Sequence, residues 1–244
     1  MELLSDETLD AILGGAIRIV QPRRGYRFSV DSILLGRFAT ARPRDRVLEL
    51  GAGCGVIALM IAAIARPREV IAVELQPRMA EMAERNARLN GLANLRCVQA
   101  DLRARKIAGI VPASFDLVVA NPPFHARHAG RESPDHGRRA ARGGSGASLG
   151  DFVAAARRYV RNGGRVAFIF GASRSAELIA TMRARQLEPK RMRFVHPRVD
   201  LPASSVMVEA RAGGGIEVAV EPPLVLEDRA GVYTDEARAL LERM

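Results

Sequence analysis

The sequence predicts an α/β protein built on a mostly parallel sheet, because short buried strands alternate with helical segments. Apolar runs at Arg46–Leu50, Val70–Glu74 and Leu117–Asn121 each end on or beside a polar residue. The first two are followed by segments long enough for a helix, as a crossover between parallel strands requires. Sheets of this kind bind ligands beyond the carboxyl ends of their strands, so the polar residues there form the candidate site.

Length and composition favour one domain with additions. The chain has 244 residues, 48% of them hydrophobic and 26% charged, which is ordinary for a globular protein. We expect an N-terminal helix and hairpin lid over 1–40, a core over 41–220 and a covering segment over 221–244. The formal charge of +10 suggests an anionic partner such as nucleic acid. However, 35 of the 37 basic residues are arginines, so an arginine-rich composition is an open alternative.

Nothing in the sequence indicates a membrane segment, a signal peptide or a metal site. The longest apolar run, 56–65, is far shorter than the ~20 residues that span a bilayer. Acidic residues occupy the positions where a signal peptide would be basic and apolar. Cys54 and Cys97 lack metal-ligand spacing, which favours the reducing cytoplasm.

The N-terminal region predicts a lid. A short capped helix is expected within 1–15, ending at Gly14-Gly15, and 17–20 is expected to form a hairpin with 26–29. A further helix follows, capped by Ser29 or Asp31 and running to Phe38. This region could simply cover the core. Alternatively, Phe28 and Asp31 contact a cofactor, and three arginines meet phosphate: Arg23, Arg24 and Arg27.

A glycine turn follows the strand 46–50 and precedes an apolar helix. Its glycines are Gly51, Gly53 and Gly55, and such a turn lets the backbone approach a nucleotide-like ligand closely. The spacing is G-x-G-x-G with Val56 at the sixth position, which argues against a dinucleotide site. It resembles the first motif of class I S-adenosylmethionine-dependent methyltransferases. That resemblance implies a cofactor role for Glu49, the acid before the turn.

Two further acids end the next strands. Glu74 lies 19 residues after Gly55, a position that suits a carboxylate binding both ribose hydroxyls. Asp101 closes the following strand, where it would accept a hydrogen bond from the adenine amino group of the cofactor. Leu75 and Leu102 could sandwich the adenine ring. Each acid alone could be a helix cap, but the set favours a cofactor site.

The segment Asn121-Pro122-Pro123-Phe124 carries the candidate chemistry. Two prolines forbid further ladder pairing, so the chain must leave the sheet here. An exocyclic aryl amine is a poor nucleophile, and two acceptors, the Asn121 side-chain oxygen and the Pro122 carbonyl, can hold its N–H bonds in the reactive geometry. Phe124 can stack on a flat base. The alternative is a strand that ends in a Pro-Pro turn with an aromatic plug.

The rest of the chain completes the sheet. The Gly- and Arg-rich segment 125–148 is a candidate substrate clamp or a mobile lid. Helices are expected at 149–160 and 173–186, with a strand at 165–170. The strands 191–196 and 205–210 have no helix between them, so they should pair antiparallel. An edge strand at 216–220 and a final helix from Thr234 follow.

The tetrapeptide resembles the (N/D)PP(F/Y/W) motif of amino-group methyltransferases, and the flanking segments narrow the resemblance. The chain is similar to the bacterial valine-tRNA adenine-N6-methyltransferase family from Gln21–Asp31 through Val232-Tyr233-Thr234, including His196-Pro197-Arg198 and Val208–Gly214. Ala212 departs from the lysine expected there. The resemblance implies a Rossmann-like class I methyltransferase fold with a seven-stranded, mostly parallel sheet and an antiparallel last hairpin. It also implies S-adenosyl-L-methionine as cofactor and RNA, favouring tRNA, as substrate.

Other functions remain open at this point. Guanine-N2 rRNA methyltransferases and glutamine methyltransferases of release factors share the motif, although the first often carry a duplicated domain and the second a helical substrate domain. A non-catalytic RNA-binding module on this fold is the alternative from a different class. For the RNA itself, we expect phosphate contacts from the lid, from 125–148 and from the strand 191–198.

Overall fold

The computed structural model describes residues 3–25, 27–123 and 146–242 of the chain. The strands are β1 Glu7–Ile12, β2 Ile17–Pro22, β3 Arg46–Leu50, β4 Glu69–Glu74, β5 Leu95–Gln99, β6 Phe115–Ala120, β7 Val160–Gly171, β8 Leu187–Arg198, β9 Ser205–Ala212, β10 Ala219–Val220 and β11 Leu224–Glu227. The helices are α1 Val30–Phe38, α2 Val56–Ile64, α3 Pro77–Leu89, α4 Leu149–Tyr159, α5 Ser175–Arg183 and α6 Asp235–Glu242.

The main sheet is mostly parallel and ends in an antiparallel pair, as the sequence predicts. Its order is β10-β8-β9-β7-β6-β3-β4-β5, with β11 also beside β8. Strands β3 to β7 run parallel to one another, whereas β9 is antiparallel to both β7 and β8. The sheet has nine strands rather than the expected seven. Of the two additional strands, β10 lies within the edge strand expected at 216–220, although it is shorter, and β11 was not expected as a strand. Both pair with β8.

Helices cover both faces of this sheet, and alternate side chains of each strand enter different cores. In β3, Val47 packs with α1, α2 and α3, whereas Leu48 packs with α4 and α5 on the other face. Val119 and Val118 of β6 divide in the same way. This alternation follows from the two-residue period of a strand, and it explains why the strands read as continuous apolar runs.

The structure of residues 7–22 differs from the predicted lid. The expected helix within 1–15 is wrong, because β1 is a strand that pairs antiparallel with β2, Glu7 opposite Pro22 and Ile12 opposite Ile17. The expected pairing of 17–20 with 26–29 is wrong for the same reason. Gly14 and Gly15 have φ of +64° and +90°, so they form the hairpin turn rather than a helix stop. We call β1, β2 and this turn the N-terminal hairpin.

Side chains of α3 hold the N-terminal hairpin. The Asn86 amide accepts from Val20 N at 2.7 Å and donates to Val20 O at 2.9 Å. One turn later, Asn90 accepts from Arg18 N at 2.9 Å and donates to Arg18 O at 2.7 Å. Because residues four apart lie on one helix face and residues two apart on one strand edge, the two asparagines continue the ladder of β2.

The C-terminal segment packs against α1, near the beginning of the chain. Helix α6 lies against α1, where Arg37 Nε donates to the Leu240 carbonyl at 2.9 Å. Strand β11 joins the main sheet although the sequence predicts only an extended cover there. The division into lid, core and cover thus remains a prediction. Across the described parts of the chain, no helix combines the length and apolar character needed to cross a membrane.

Candidate active site

The glycine turn, residues 51–55, has a backbone that only glycine adopts readily. Gly51, Gly53 and Gly55 have φ of +70°, +57° and +88°. A β-carbon on Gly51 would lie 3.0 Å from the Phe152 ring, and one on Gly55 would lie 3.1 Å from Ala83 Cβ. The turn is therefore packed closely between α3 and α4, and its conformation opens the backbone toward a cavity.

Glu74, at the end of β4, holds the glycine turn through a hydrogen bond to its backbone. Its Oε2 accepts from Gly53 N at 2.8 Å and its Oε1 accepts from Gln76 N at 2.8 Å. The residue is only 6% exposed. Because each carboxylate oxygen has two acceptor positions, both oxygens retain capacity for a ligand hydroxyl.

A cavity of about 870 Å³ opens above the turn. Its lining contains eight residues that the sequence predicts for the site: Gly51, Gly53, Glu74, Leu75, Asp101, Leu102, Asn121 and Pro123. Six of these residues lie at or just after the ends of three different strands, and they converge with two glycines of the turn, as the parallel topology requires.

The cavity also has walls that sequence reasoning missed. Phe152 of α4 and Met79 of α3 line it, together with Gln76 and Arg103. Phe152 is placed by a capping box at the start of α4, in which Ser148 Oγ accepts from Asp151 N at 3.2 Å and Asp151 accepts from Ser148 N at 2.8 Å. This S-x-x-D pattern was a readable signal for the helix start, although not for the ring's position.

Asp101 is engaged by a neighbour on its own loop. Its carboxylate accepts from Arg103 N at 2.8 Å and from Arg103 Nη2 at 2.7 Å. The Arg103 guanidinium lowers the pKa of Asp101 below its ordinary value. Both side chains line the cavity, so a ligand amine that approaches Asp101 meets a carboxylate already paired with a cation.

Glu49 lies beneath the glycine turn rather than in the large cavity. Its Oε2 accepts from Ala58 N at 2.8 Å, in the first turn of α2. Burial raises its pKa to about 8, and the nearby Glu74 carboxylate adds to the rise. Glu49 lines a smaller cavity of about 250 Å³, whose walls include Phe28, Ser32 and Asn121. The structure therefore places it against the turn's underside.

Asn121 lies where the two cavities meet. Strand β6 pairs with β3 so that Ala120 faces Leu50, which puts Asn121 beside Gly51 at the carboxyl edge. Its Nδ2 donates to Ser32 Oγ at 3.4 Å. Ser32 is 4% exposed and was missed by sequence reasoning. The bond directs the amide nitrogen toward α1, and the Asn121 side-chain oxygen has no hydrogen-bond partner among the described residues, so it can accept from a ligand.

The other predicted site residues lie around this edge or beyond the described chain. Asp31 lines neither cavity; it accepts from Ser205 Oγ at 3.0 Å, and burial raises its pKa. Gly55 and Pro122 adjoin the large cavity without lining it. Phe124 and most of the candidate clamp 125–148 lie outside the described residues.

Four of the described arginines expected to meet RNA are paired with acids. Arg191 contacts Glu209 at 3.5 Å and Glu221 at 3.2 Å, and Arg193 contacts Glu236 at 2.6 Å. Arg198 is paired with Asp200, and Arg27 of the lid with Asp10. These ion pairs reduce the charge that the strand 191–198 offers to phosphate. Within the described residues, no group of three or more His, Cys, Asp or Glu side chains could hold a metal ion.

The strand order, the antiparallel last pair and the glycine turn beside an acid-lined cavity define a Rossmann-like methyltransferase fold. The family model described as methyltransferase small domain matches residues 29–184. The chain therefore belongs to the methyltransferase small domain family. It is a methyltransferase enzyme, and its methyl donor is S-adenosyl-L-methionine.

Named relatives agree with this assignment, and a solved structure has a similar fold. A tRNA1(Val) (adenine(37)-N6)-methyltransferase of Aeromonas hydrophila is 29% identical over 87% of each chain. A protein of the same name from Parabacteroides distasonis is 27% identical over 76% of this chain and 77% of its own. The fold is similar to that of a predicted O-methyltransferase from Agrobacterium tumefaciens, with a TM-score of 0.70, 24% identity and coverage of 86% and 94% of the two chains.

The cavity fits the methyl donor. A glycine-lined floor, one carboxylate with free acceptor positions at Glu74 and apolar walls at Leu102 and Phe152 suit a nucleoside with a ribose diol and a flat base.

Proposed function

We propose that this methyltransferase acts on an exocyclic amine of RNA, namely adenine N6 in the anticodon loop of a tRNA. The observation that carries the proposal is the place of Asn121, whose amide lies at the rim of the cofactor cavity with its nitrogen bonded to Ser32. Two relatives that align over most of this chain are named tRNA adenine-N6-methyltransferases. Their names support the RNA substrate and the adenine.

In the proposed site, Glu74 binds the cofactor ribose and Asp101 binds its adenine, while Leu75 and Leu102 hold the ring. Glu49 supports the glycine turn from below. S-adenosyl-L-methionine supplies an electrophilic methyl group, so the protein needs no nucleophile of its own. The chain's contribution is to align the target amine with that methyl group.

Asn121 and the Pro122 carbonyl accept the two N–H bonds of the target amine in this proposal. This contact localises the amine lone pair, which is otherwise delocalised into the base. Pro123 keeps the segment out of the sheet, and Phe124 stacks on the base. After transfer the amine is cationic and acidic, and its proton passes to solvent.

A pair of variants separates binding from chemistry. Asn121→Ala should leave the calorimetric affinity for S-adenosyl-L-methionine nearly unchanged and lower turnover on tRNA by about 10²–10³-fold, the usual loss for a preorganised polar partner. Glu74→Ala should instead weaken cofactor binding by about 1.5–3 kcal/mol. Asn94→Ala, which removes only a bond to Pro67 O at 3.0 Å far from the site, is the control and should change neither.

An Asn121→Ala enzyme with full activity would refute the catalytic assignment. The substrate is tested independently by mass spectrometry of nucleosides from a deletion strain. We expect N6-methyladenosine to be missing from tRNA. A missing N2-methylguanosine in rRNA would point to guanine instead, and an unchanged RNA profile would contradict an RNA substrate.

A further inference from the structure

A third cavity, of about 720 Å³, opens at the opposite edge of the main sheet from Asn121. It lies between the start of β8 and the end of β9, next to an irregularity where β7 makes a loop at 161–164. Its walls include Lys190, Arg211 and four glycines at 163 and 213–215. We call it the basic cavity.

The two cations of the basic cavity have no acidic partner among the residues that the structure describes. Lys190 Nζ donates to the Glu217 carbonyl at 3.1 Å, and Arg211 Nε donates to the Gly163 carbonyl at 3.2 Å. These acceptors are neutral. Glu188, which faces Arg211 across the β8–β9 pair, is bonded to Arg183 at 3.2 Å. The positive charge here is thus uncompensated, unlike that of Arg191 and Arg193.

The glycines keep the space between these cations open. Gly163 and Gly213 have φ of +70° and +68°, a backbone that side chains disfavour. A β-carbon on Gly163 would lie 3.7 Å from Arg211 Nη2 and 3.9 Å from Arg161 Nη1, and one on Gly215 would meet no atom within 4 Å. The guanidinium groups of Arg161 and Arg211 therefore lie beside backbone that carries no side chains, and an anion can approach this backbone closely.

We propose that the basic cavity binds a backbone phosphate of the RNA substrate. The inference rests on the proposed function, in which the substrate is RNA. None of the described residues that line the cavity is aromatic, so they offer charge to a phosphate and no stacking surface to a base. Glycine, arginine and lysine together suit a phosphodiester that lies on the surface.

The distance from the target amine is compatible with one RNA molecule contacting both sites. Arg161, at the cavity, pairs with Asp116, and Asp116 lies five residues before Asn121 along β6. At about 3.3 Å per residue Asp116 and Asn121 are about 17 Å apart along the strand, which is a minimum for the separation of the two sites because the cavity lies beside strands farther along the sheet. A duplex advances about 3.4 Å per base pair, so a stem of at least about five base pairs is needed to reach from one site to the other.

The test compares two double variants with the same change of charge. Lys190→Gln with Arg211→Gln removes the cavity's cations, and Arg66→Gln with Arg229→Gln removes two exposed cations elsewhere. The cavity variant should raise KM for tRNA several-fold, leave kcat and cofactor affinity unchanged, and reduce the slope of log affinity against log salt by about 1. The control variant should keep the wild-type slope and KM, and thermal unfolding should show both variants folded.

The outcomes separate this inference from the proposed function. If the wild type binds and methylates tRNA and the two double variants behave alike, the cavity assignment is wrong and the proposed function stands. If the wild type neither binds nor methylates RNA, the proposed function fails as well. In a third experiment, inorganic phosphate alone is titrated into the wild type and into the cavity variant. Saturable phosphate binding that the cavity variant loses, without any change in tRNA affinity, would identify a free-phosphate site and overturn the RNA assignment.

Discussion

The glycine turn and the N-terminal hairpin both pack against α3, yet they are held by different kinds of interaction. The turn is set by its own backbone, because three of its five residues have positive φ. The hairpin is set by distant side chains, since Asn86 and Asn90 pair with β2 from about 70 residues away. A local determinant can be read from sequence, whereas a convergence of distant side chains cannot. The two regions also meet at one residue, Asn86, whose Nδ2 donates to Cys54 O in the turn at 3.0 Å.

The largest expected effect comes from removing that shared residue. Asn86 is fully buried, so Asn86→Ala leaves Val20 N, Val20 O and Cys54 O without their partner. Each buried unsatisfied group costs about 1–3 kcal/mol, and we expect a loss of about 3 kcal/mol or more in the free energy of unfolding. Urea unfolding measures it, and calorimetry should show weaker cofactor binding because the turn loses an anchor.

Asn90→Ala is the matched control. It removes the same two kinds of bond to Arg18 at an exposed position, together with a bond from Asn90 Nδ2 to Asn86 O at 2.8 Å. Water can replace the exposed bonds, so the loss should be about 1 kcal/mol and well below that of Asn86→Ala. Equal losses for the two variants would show that burial does not distinguish the two asparagines.

A pair of glycine variants compares the effect of a backbone change in the glycine turn with that of one in the N-terminal hairpin. Gly51→Ala combines a φ of +70° with a contact of 3.0 Å to the Phe152 ring, and we expect it to cost about 1–3 kcal/mol of stability and to weaken cofactor binding. Gly15→Ala in the hairpin has a φ of +90° but meets no atom within 4 Å. It should cost about 1–2 kcal/mol and leave cofactor affinity unchanged. A Gly15→Ala protein with impaired cofactor binding would argue that the hairpin controls the turn.

A difference in the pH dependence of stability is expected between two buried glutamates, Glu49 and Glu7. Burial raises the pKa of Glu49 to about 8 from an ordinary 4.5, so its contribution to stability is complete below about 4.5 and is lost as pH rises toward 8. The hydrogen bond from Arg85 lowers the pKa of Glu7, so its contribution is present above 4.5 and is lost as pH falls.

Urea midpoints measured across this pH range test both signs. Glu49→Gln, which keeps an acceptor for Ala58 N, should remove the decline in stability between pH 4.5 and 8. Glu7→Gln should remove part of the acid-side decline and lower stability at neutral pH, because Arg85 then lacks its carboxylate at 2.6 Å. A Glu49→Gln protein with an unchanged pH profile would mean that Glu49 does not titrate in this range.

Local patterns in the sequence determined the central strands of the sheet and much of the candidate site. Buried runs of β-strand length, glycine spacing and strand-terminal acids predicted β3 to β7, the turn and eight residues of the cavity lining. Connection length alone predicted the antiparallel pairing of β8 and β9. These features follow from backbone geometry and from the two-residue strand period, which act over a few neighbouring residues.

Tertiary structure decided the rest. The spacing of Leu9, Ile12 and Leu13 fits a helix, but the partner strand and the α3 asparagines make 7–12 a strand. Phe152, Ser32 and Arg103 reach the site from elements whose position no local pattern specifies. The arginines of β8 could be recognised as ion-paired only once Glu209, Glu221 and Glu236 were placed beside them. Each of these outcomes depends on which side chains meet across long sequence separations, and that is set by packing of the whole chain rather than by any one segment.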